Sequence, residues 1–265
     1  MDMLTDILLA LAVLLITGVL AAIILALASH YMGIKTDETV ARIREHLPGA
    51  NCGACGYTGC DAYAQALAGK DVKATLCVPG GSSVAERIAE ELGIEAGNVD
   101  APLAYVHCNG NRDATSSVAI FDGVDSCKAR CLVCAGPEAC KYGCLGCGDC
   151  ASACPVNAIC IVNGVAKINP ARCVGCGVCV KTCPKHIISF IPRDANAAVN
   201  CSSHDTGAVT RKNCKNGCIA CRKCEKTCPV NAITVENNLA VIDYEKCIRC
   251  GECAEVCPVK CIEKI

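Results

Sequence analysis

Apolar residues are concentrated near the start of the chain, where Ile7–Ala28 form 22 consecutive uncharged positions. A helix over this run would be roughly 33 Å long, which is enough to cross the core of a bilayer. A cleaved signal peptide is the alternative, because Ala26-Leu27-Ala28 resembles a cleavage box. However, the residues before the run include Asp2 and Asp6 and no Lys or Arg. The pattern therefore predicts a single retained transmembrane helix, within an anchor at residues 1–35.

Basic residues lie on only one side of this apolar run. None precedes it, whereas Lys35, Arg42 and Arg44 follow it. Positive charge near the end of a membrane helix favours the cytoplasmic side. We therefore expect a single-pass protein of the cytoplasmic membrane, with its N-terminus outside and all later domains in the cytoplasm.

Two short stretches later in the chain have the pattern of β-hairpins. Ile159–Val162 and Val165–Ile168 flank Asn163-Gly164, a pair that is typical of a type I′ turn. A counterpart follows at Ile233–Val235 and Leu239–Ile242. Each predicted hairpin lies between two cysteine-rich runs.

Composition limits how these small elements can be held together. The 265 residues include 29 cysteines, six tyrosines, two phenylalanines and no tryptophan, so a large aromatic core is not available. Bound metal can supply the missing stability. Disulfides would need an oxidising compartment, and the regular Cys-x2-Cys spacing favours metal instead. The net charge is −1, and the sequence contains no basic stripe with interleaved aromatic residues. Nucleic-acid binding is therefore not predicted.

The first pair of cysteine runs, in residues 143–191, has the spacing of bacterial two-cluster ferredoxins. Each run reads Cys-x2-Cys-x2-Cys-x3-Cys-Pro, and in such proteins the fourth cysteine binds the cluster of the other run. Zinc is the alternative, but zinc sites usually show two separated Cys-x2-Cys pairs. The spacing therefore predicts site one at Cys144, Cys147, Cys150 and Cys183, and site two at Cys173, Cys176, Cys179 and Cys154.

The same arrangement is repeated in residues 214–265, after a polar joint at residues 192–213. The first cysteines of the two runs, Cys218 and Cys247, are 29 residues apart, as are Cys144 and Cys173. The crossed rule predicts site three at Cys218, Cys221, Cys224 and Cys257, and site four at Cys247, Cys250, Cys253 and Cys228.

A smaller cysteine motif lies in a domain at residues 36–97. Thr58–Leu67 and Ser83–Leu92 have helical patterns, and Ser83 with Glu86 forms a potential capping box. The motif could hold one [4Fe–4S] cluster, although its spacing alone would also fit zinc. Its four cysteines are Cys52, Cys55, Cys60 and Cys77. The chain is thus predicted to be α+β, with a transmembrane helix, a small [4Fe–4S] domain and two tandem ferredoxin units.

Five clusters would use 20 cysteines, so nine of the 29 remain. Cys160 and Cys261 have apolar neighbours and are expected to be small core residues. Cys214 stands four residues before the first ligand of the second unit, as Cys140 does in the first, and Cys201 and Cys108 lie further upstream. A linker and insertion at residues 98–142 could hold a sixth cluster, or its cysteines could be reduced, buried thiols. The insertion cysteines are Cys108, Cys127, Cys131, Cys134 and Cys140.

With these motifs in place, the chain resembles the B subunits of Rnf complexes, which are the iron–sulfur subunits of ion-translocating ferredoxin:NAD oxidoreductases. The resemblance rests on the N-terminal anchor, on GANCGACGYTGC followed by CVPGG, and on CLGCGDC with its later CP. It implies that the cysteines of the 36–97 domain are cluster ligands. It also implies transfer of electrons from reduced ferredoxin to a flavin- and NAD-binding subunit and to membrane subunits that move Na⁺ or H⁺. Many relatives have Leu where this chain has Cys147, so site one is complete here.

Three kinds of function are consistent with so many metal motifs. The first is a membrane-anchored electron-transfer subunit with five clusters, or six if the insertion holds one. The second is a membrane-tethered redox sensor, although no output domain is visible. The third is an enzyme acting alone, but no dinucleotide or phosphate fingerprint and no His-rich cluster is found. Catalytic activity is therefore expected of the complex. Basic residues that could dock acidic ferredoxin are Arg193, Arg211, Lys212, Lys215, Arg222 and Lys223.

Overall fold

The computed structural model describes residues 3–32, 38–69, 72–97, 99, 101–133 and 135–265. The first element is the helix α1 (Met3–Met32). No helix in the described part of the chain qualifies as a membrane span, so the predicted anchor stays a prediction.

Three helices and two single 3₁₀ turns form the small domain that follows. The helices are α2 (Glu38–His46), α3 (Cys60–Ala68) and α4 (Gly81–Leu92). Their apolar faces meet in a core that includes the fully buried Ile43, Tyr63, Leu67 and Ile88. Both predicted helices are confirmed.

The predicted capping box of the second helix is wrong. Helix α4 begins at Gly81, with Gly80 as its N-cap, so Ser83 lies inside the first turn. Its hydroxyl donates a hydrogen bond of 3.4 Å to the Gly80 carbonyl oxygen. The helix begins two residues before Ser83, the predicted N-cap, because the Cys77–Gly81 segment turns directly into it.

Each ferredoxin unit contains a hairpin and short helices next to its cysteine runs. The hairpins are β2 (Ile159–Val162) with β3 (Val165–Ile168) and β6 (Ile233–Glu236) with β7 (Leu239–Ile242). Both are antiparallel, as predicted, and Asn163 and Gly164 have the positive φ angles that a type I′ turn requires. The helices of the insertion and units are α5 (Cys127–Leu132), α6 (Asp149–Ser152), α7 (Val178–Thr182), α8 (Gly207–Asn213), α9 (Lys223–Thr227) and α10 (Glu252–Glu255).

A second two-stranded sheet closes each unit and uses residues from outside its predicted bounds. Strand β1 (Leu103–Val106), from the predicted insertion, pairs with β4 (Ile188–Ile191). Strand β5 (Ala197–Val199), from the predicted joint, pairs with β8 (Ile262–Lys264). These strands cover edges that would otherwise expose unpaired backbone groups. Each unit therefore begins about 20 to 40 residues before its first cysteine run, at residues 103 and 197.

The same backbone conformations recur in all four cysteine runs. Left-handed residues follow the first cysteine by two and by four positions, and another follows the Cys-Pro cysteine by three positions. Twelve residues form this pattern: Gly146, Gly175, Ala220, Arg249; Gly148, Gly177, Arg222, Gly251; and Asn157, His186, Asn231, Lys260. The repeat in the sequence is therefore a repeat in structure as well.

Direct hydrogen bonds join the two units. The ring of His107, just after β1, contacts the Val199 carbonyl oxygen of β5 at 2.7 Å and the Ser189 hydroxyl at 2.7 Å. Burial lowers the pKa of His107, so the ring is neutral in the folded protein at neutral pH. The Tyr105 hydroxyl donates to the Asn200 side-chain oxygen at 2.6 Å. The units are thus held side by side through β1 and β5.

Candidate iron–sulfur centres

The structure brings seven of the eight predicted ligands of the first unit around two separate cavities. The site-one cavity, about 350 Å³, is lined by Cys144, Cys150 and Cys183, and its fourth lining cysteine is Cys127 rather than the predicted Cys147. The site-two cavity, about 320 Å³, is lined by Cys154, Cys173, Cys176 and Cys179. In each case the cysteine before proline lies with the run to which it does not belong. This is the crossed arrangement that the spacing predicts.

The second unit repeats this geometry. The site-three cavity, about 340 Å³, contains Cys257 with the first three cysteines of the other run. The site-four cavity, about 400 Å³, contains Cys228 in the same way. Cys221 and Cys250 are exposed, so one edge of each site faces solvent.

The four cysteines of the small domain also lie together. The pKa of Cys77 is raised to about 11, first by burial and then by the nearby Cys60, Cys52 and Cys55 thiols. The side-chain oxygen of Asn51 accepts a hydrogen bond of 2.8 Å from the Cys60 backbone N–H, which fixes the start of α3. We therefore find all four predicted ligands of this domain in one neighbourhood.

Backbone N–H groups donate hydrogen bonds to the sulfurs of these sites. Cys154 accepts from Ala158 at 3.3 Å, and its counterparts Cys228 and Cys257 accept from residues four positions later at 3.2 Å each. Such hydrogen bonds stabilise cluster-bound thiolates and influence their reduction potential. The loops that shape the cavities thus also supply the donors that a cluster needs.

Burial makes several of the ligand thiols weaker acids. It raises the pKa of Cys150 to about 12 and those of Cys179, Cys224 and Cys253 to about 11. Because metal binds the thiolate, iron must displace these protons during assembly. Once bound, iron would hold the thiolates in the folded unit.

The cavities fit a [4Fe–4S] cluster, whose four thiolates bind different iron atoms and surround a cavity. Four thiols line each cavity except that of site three, which Cys261 also lines. Within the described part of the chain, no group of three or more His, Cys, Asp or Glu side chains is placed to hold one metal ion. A bound cluster would supply reversible one-electron transfer.

Comparison with known families supports this chemistry along the chain. A family described as a putative Fe–S cluster domain matches residues 47–79. A 4Fe-4S dicluster domain matches residues 143–187 and 217–261. A second 4Fe-4S dicluster domain matches residues 172–233 and so spans the junction of the two units.

Three relatives are similar over most of the chain. The B subunit of the Na⁺-translocating ferredoxin:NAD⁺ oxidoreductase complex of Acetobacterium woodii is 41% identical over 92% of this chain and 74% of its own. The B subunit of the proton-translocating complex of Clostridium ljungdahlii is 40% identical, covering 88% and 83%. The B subunit of an ion-translocating oxidoreductase complex from Methanosarcina acetivorans is 37% identical, covering 95% and 96%. The chain belongs to the family of Rnf-complex B subunits.

Membership makes the chain a component of an ion-translocating oxidoreductase complex, with the other subunits of that complex as its partners. It also assigns the chain to electron transfer, since the iron–sulfur domains account for most of the residues after 46. Family membership does not determine the number of clusters or their individual ligands, which depend on the geometry of this chain.

The described insertion cysteines of this Rnf protein do not form one site. Cys127 lines the site-one cavity, whereas the Cys147 thiol donates to the Leu145 carbonyl oxygen at 3.6 Å. The Asp149 carboxylate holds Cys127 in place by accepting its backbone N–H at 2.9 Å. Cys131 points its sulfur at the Pro184 carbonyl oxygen, 3.9 Å away. Cys134 lies outside the described residues.

The two cysteines expected in the core have different environments. Cys261 is 1% exposed, which confirms that prediction. Cys160 is exposed, because side chains alternate across β2 and Ile159 and Ile161 take the inner face. The prediction for Cys160 is therefore wrong.

Proposed function

We propose that this chain accepts electrons from reduced ferredoxin and conducts them through five or more [4Fe–4S] clusters to the other subunits of an Rnf-type complex. The N-terminal helix would tie it to the cytoplasmic membrane. The isolated chain would carry electrons but would not itself reduce NAD⁺, because it has no dinucleotide fingerprint.

The observation that carries this proposal is the proximity of the cysteine sites. Cys150 of site one and Cys179 of site two lie in one buried cluster, against which Cys144, Cys173 and Cys183 also pack. Sites one and two are therefore neighbours, which suits a conductor of electrons.

The predicted ferredoxin-docking surface is smaller than the sequence indicates. Arg193 donates hydrogen bonds to the carbonyl oxygens of Ala101, Pro170 and Cys173, so its guanidinium stabilises the chain itself. Arg211 and Lys212 at the end of α8 are exposed and remain suitable for an acidic partner.

We predict that reduced ferredoxin will rapidly reduce the full-length, cluster-loaded chain in detergent, and more slowly as salt rises. Replacing Arg211 and Lys212 with Gln should weaken the salt dependence, because opposite charges speed encounter. Stopped-flow absorbance would measure the rate, and Lys260→Gln in the loop after Cys257 is the control. A chain that takes no electrons with its clusters intact would instead be a redox sensor. Rapid NADH formation by the chain alone would contradict the proposed division of labour.

Membrane attachment rests on the character of α1. Its middle contains no charged residue from Ile7 to Ala28, and the large apolar side chains described between Leu9 and Leu27 are exposed, with Leu9 and Leu25 each 70% exposed. A continuous exposed apolar surface needs a partner, and a bilayer matches its length.

We predict that reporters fused to the two ends will place the N-terminus outside the cell and Ile265 in the cytoplasm. The reason is the Lys and Arg residues that follow the apolar run. Moving two lysines to positions before Leu4 should weaken or invert this orientation. A mature chain that begins near Ser29 would show that the segment is a cleaved signal peptide.

A further inference from the structure

A fifth cavity, between the two ferredoxin units, belongs to none of the predicted sites. Its volume, which includes space open to solvent, is about 410 Å³, similar to the 320–400 Å³ of the four ferredoxin sites. Five cysteines line it. Cys144 is the first predicted ligand of site one, and the other four, two from each unit, are assigned to no ferredoxin site. These are Cys108, Cys140, Cys201 and Cys214, and we call this the central cavity.

The four cysteines are related by the internal repeat. Cys140 and Cys214 each stand four residues before the first ligand of their unit. Cys108 lies two residues after the end of β1, and Cys201 lies two residues after the end of β5. Each unit thus contributes the same two positions to the space between them. This pairing produces one four-thiol site from two half-sites.

The central thiols have the hydrogen-bond donors that characterise the ferredoxin ligands. Cys108 accepts from Gly110 at 3.4 Å and from Cys144 at 3.3 Å. Cys201 accepts from Ser203 at 3.4 Å. At the ferredoxin site four, Cys247 accepts in the same way from the residue two positions later, at 3.4 Å.

The second pair of cysteines lies in equivalent turns of the two units. The Gly143 N–H donates to the Cys140 carbonyl oxygen at 3.1 Å, and the Gly217 N–H donates to the Cys214 carbonyl oxygen at 3.3 Å. The internal repeat therefore places Cys140 and Cys214 in the cavity wall with the same local backbone.

The walls of the cavity are tied together across the units. Lys215 donates its backbone N–H to the Ala114 carbonyl oxygen at 2.8 Å, and the Thr115 hydroxyl donates to the Asn213 carbonyl oxygen at 2.8 Å. Lys141 and Asp205 form an ion pair at 3.1 Å. Among the described residues, the acidic side chain that lines the cavity is Glu138, and its buried Oε2 atom has no hydrogen-bond partner.

We propose that Cys108, Cys140, Cys201 and Cys214 bind a further [4Fe–4S] cluster, which connects the two ferredoxin units. Its position suits a bridge. Cys108 is hydrogen-bonded to the backbone of Cys144 in site one. On the other side, the buried Cys261 packs in one core cluster with Cys201 and with Cys218 of site three. One electron would enter from one unit and one would leave to the other, so no bond forms or breaks and no proton is consumed.

The experiment is an iron and sulfide count on the full-length chain, purified without oxygen. Six clusters predict about 24 iron atoms per chain. Cys140→Ser combined with Cys214→Ser should lower this to about 20, with the same result for Cys108→Ser combined with Cys201→Ser. Cys131→Ser should leave about 24, because that thiol lies outside the cavity.

The wild-type count decides the question even if a variant folds poorly. A wild-type chain with about 20 iron atoms and unchanged variants would overturn the proposal. So would the loss of four iron atoms in Cys131→Ser with retention in the central variants. Only the bridging role rests on the proposed function. If the chain holds about 24 iron atoms but takes no electrons from ferredoxin, the electron-transfer function fails and the central site stands.

Discussion

Replacing Cys154 with serine should remove the cluster of site two and spare that of site one. Cys154 follows the site-one cysteines in sequence, but its sulfur lines the cavity of Cys173, Cys176 and Cys179. Serine is a poor ligand for iron, so the variant should lose about four iron atoms per chain. Cys183→Ser should have the reciprocal effect, because Cys183 lines the cavity of Cys144.

Pairs of substitutions identify which cluster is lost. If ligation is crossed, Cys154→Ser and Cys173→Ser damage the same cluster, so the double variant should still lose only about four iron atoms. Cys154→Ser with Cys144→Ser should lose about eight, because two clusters are affected. If each run instead bound its own cluster, Cys154→Ser with Cys173→Ser would lose about eight iron atoms, and Cys154→Ser with Cys144→Ser would lose about four. The exposed Cys160, whose sulfur lies 3.8 Å from the Lys167 carbonyl oxygen, is the control, and Cys160→Ser should lose no iron.

Both cysteine runs of the first unit require glycine two positions after their first cysteine, whereas the runs of the second unit do not. Gly146 and Gly175 have φ angles of 69° and 68°, and Ala220 and Arg249 take the same conformation at 53° and 63°. A Cβ atom on Gly146 would lie 2.5 Å from the Gly164 carbonyl oxygen, and one on Gly175 would lie closer still to that of Pro102. Contacts under 3.0 Å force the backbone to move, so alanine adds a clash to the cost of the conformation.

We expect Gly146→Ala and Gly175→Ala to release iron faster to a chelator in mild denaturant. The left-handed conformation alone costs an alanine about 1 to 2 kcal/mol. That cost corresponds to roughly 5- to 30-fold in the equilibrium, and the clash should increase it. Ala220→Gly is the matched control, since it removes the same strain at the equivalent position of the second unit. It should slow release from site three, and equal release rates in all these variants would contradict the explanation.

Local spacing was sufficient to predict the parts of the fold that are local. The hairpins at Ile159–Ile168 and Ile233–Ile242 have short turns and alternating side chains, so the pattern determines them. The cysteine runs specify their own loops in a similar way, because three sulfurs at intervals of three can surround one cluster. The crossed position of Cys154 followed from the same rule.

The strands that close the units could not be predicted in this way. Strand β1 has only four residues, Leu103–Val106, and its partner β4 lies more than 80 residues later. Short strands with distant partners have no local signal, and their pairing depends on the assembled unit. The predicted starts of the two units, at residues 143 and 214, therefore mark the cysteine runs and miss the first strands of the folded units.

The central site could not be predicted from the insertion for a related reason. Its cysteines come from four separate segments, and Cys108 and Cys201 are 93 residues apart. Proximity in sequence instead groups Cys108 and Cys140 with the other insertion cysteines. The available signal was the repeat, because Cys140 aligns with Cys214 and each unit has one further upstream cysteine. Packing two repeats side by side converts equivalent positions into one site.

The most direct test of the account is the number of electrons that the full-length chain takes from reduced ferredoxin. The chain would be purified without oxygen, analysed for iron and zinc, and titrated with reduced ferredoxin while absorbance and EPR signals are followed. One electron per cluster predicts an uptake of about six electrons per chain, or about five without the central cluster. No uptake by an iron-loaded chain, or stoichiometric zinc with little iron, would contradict the electron-transfer account.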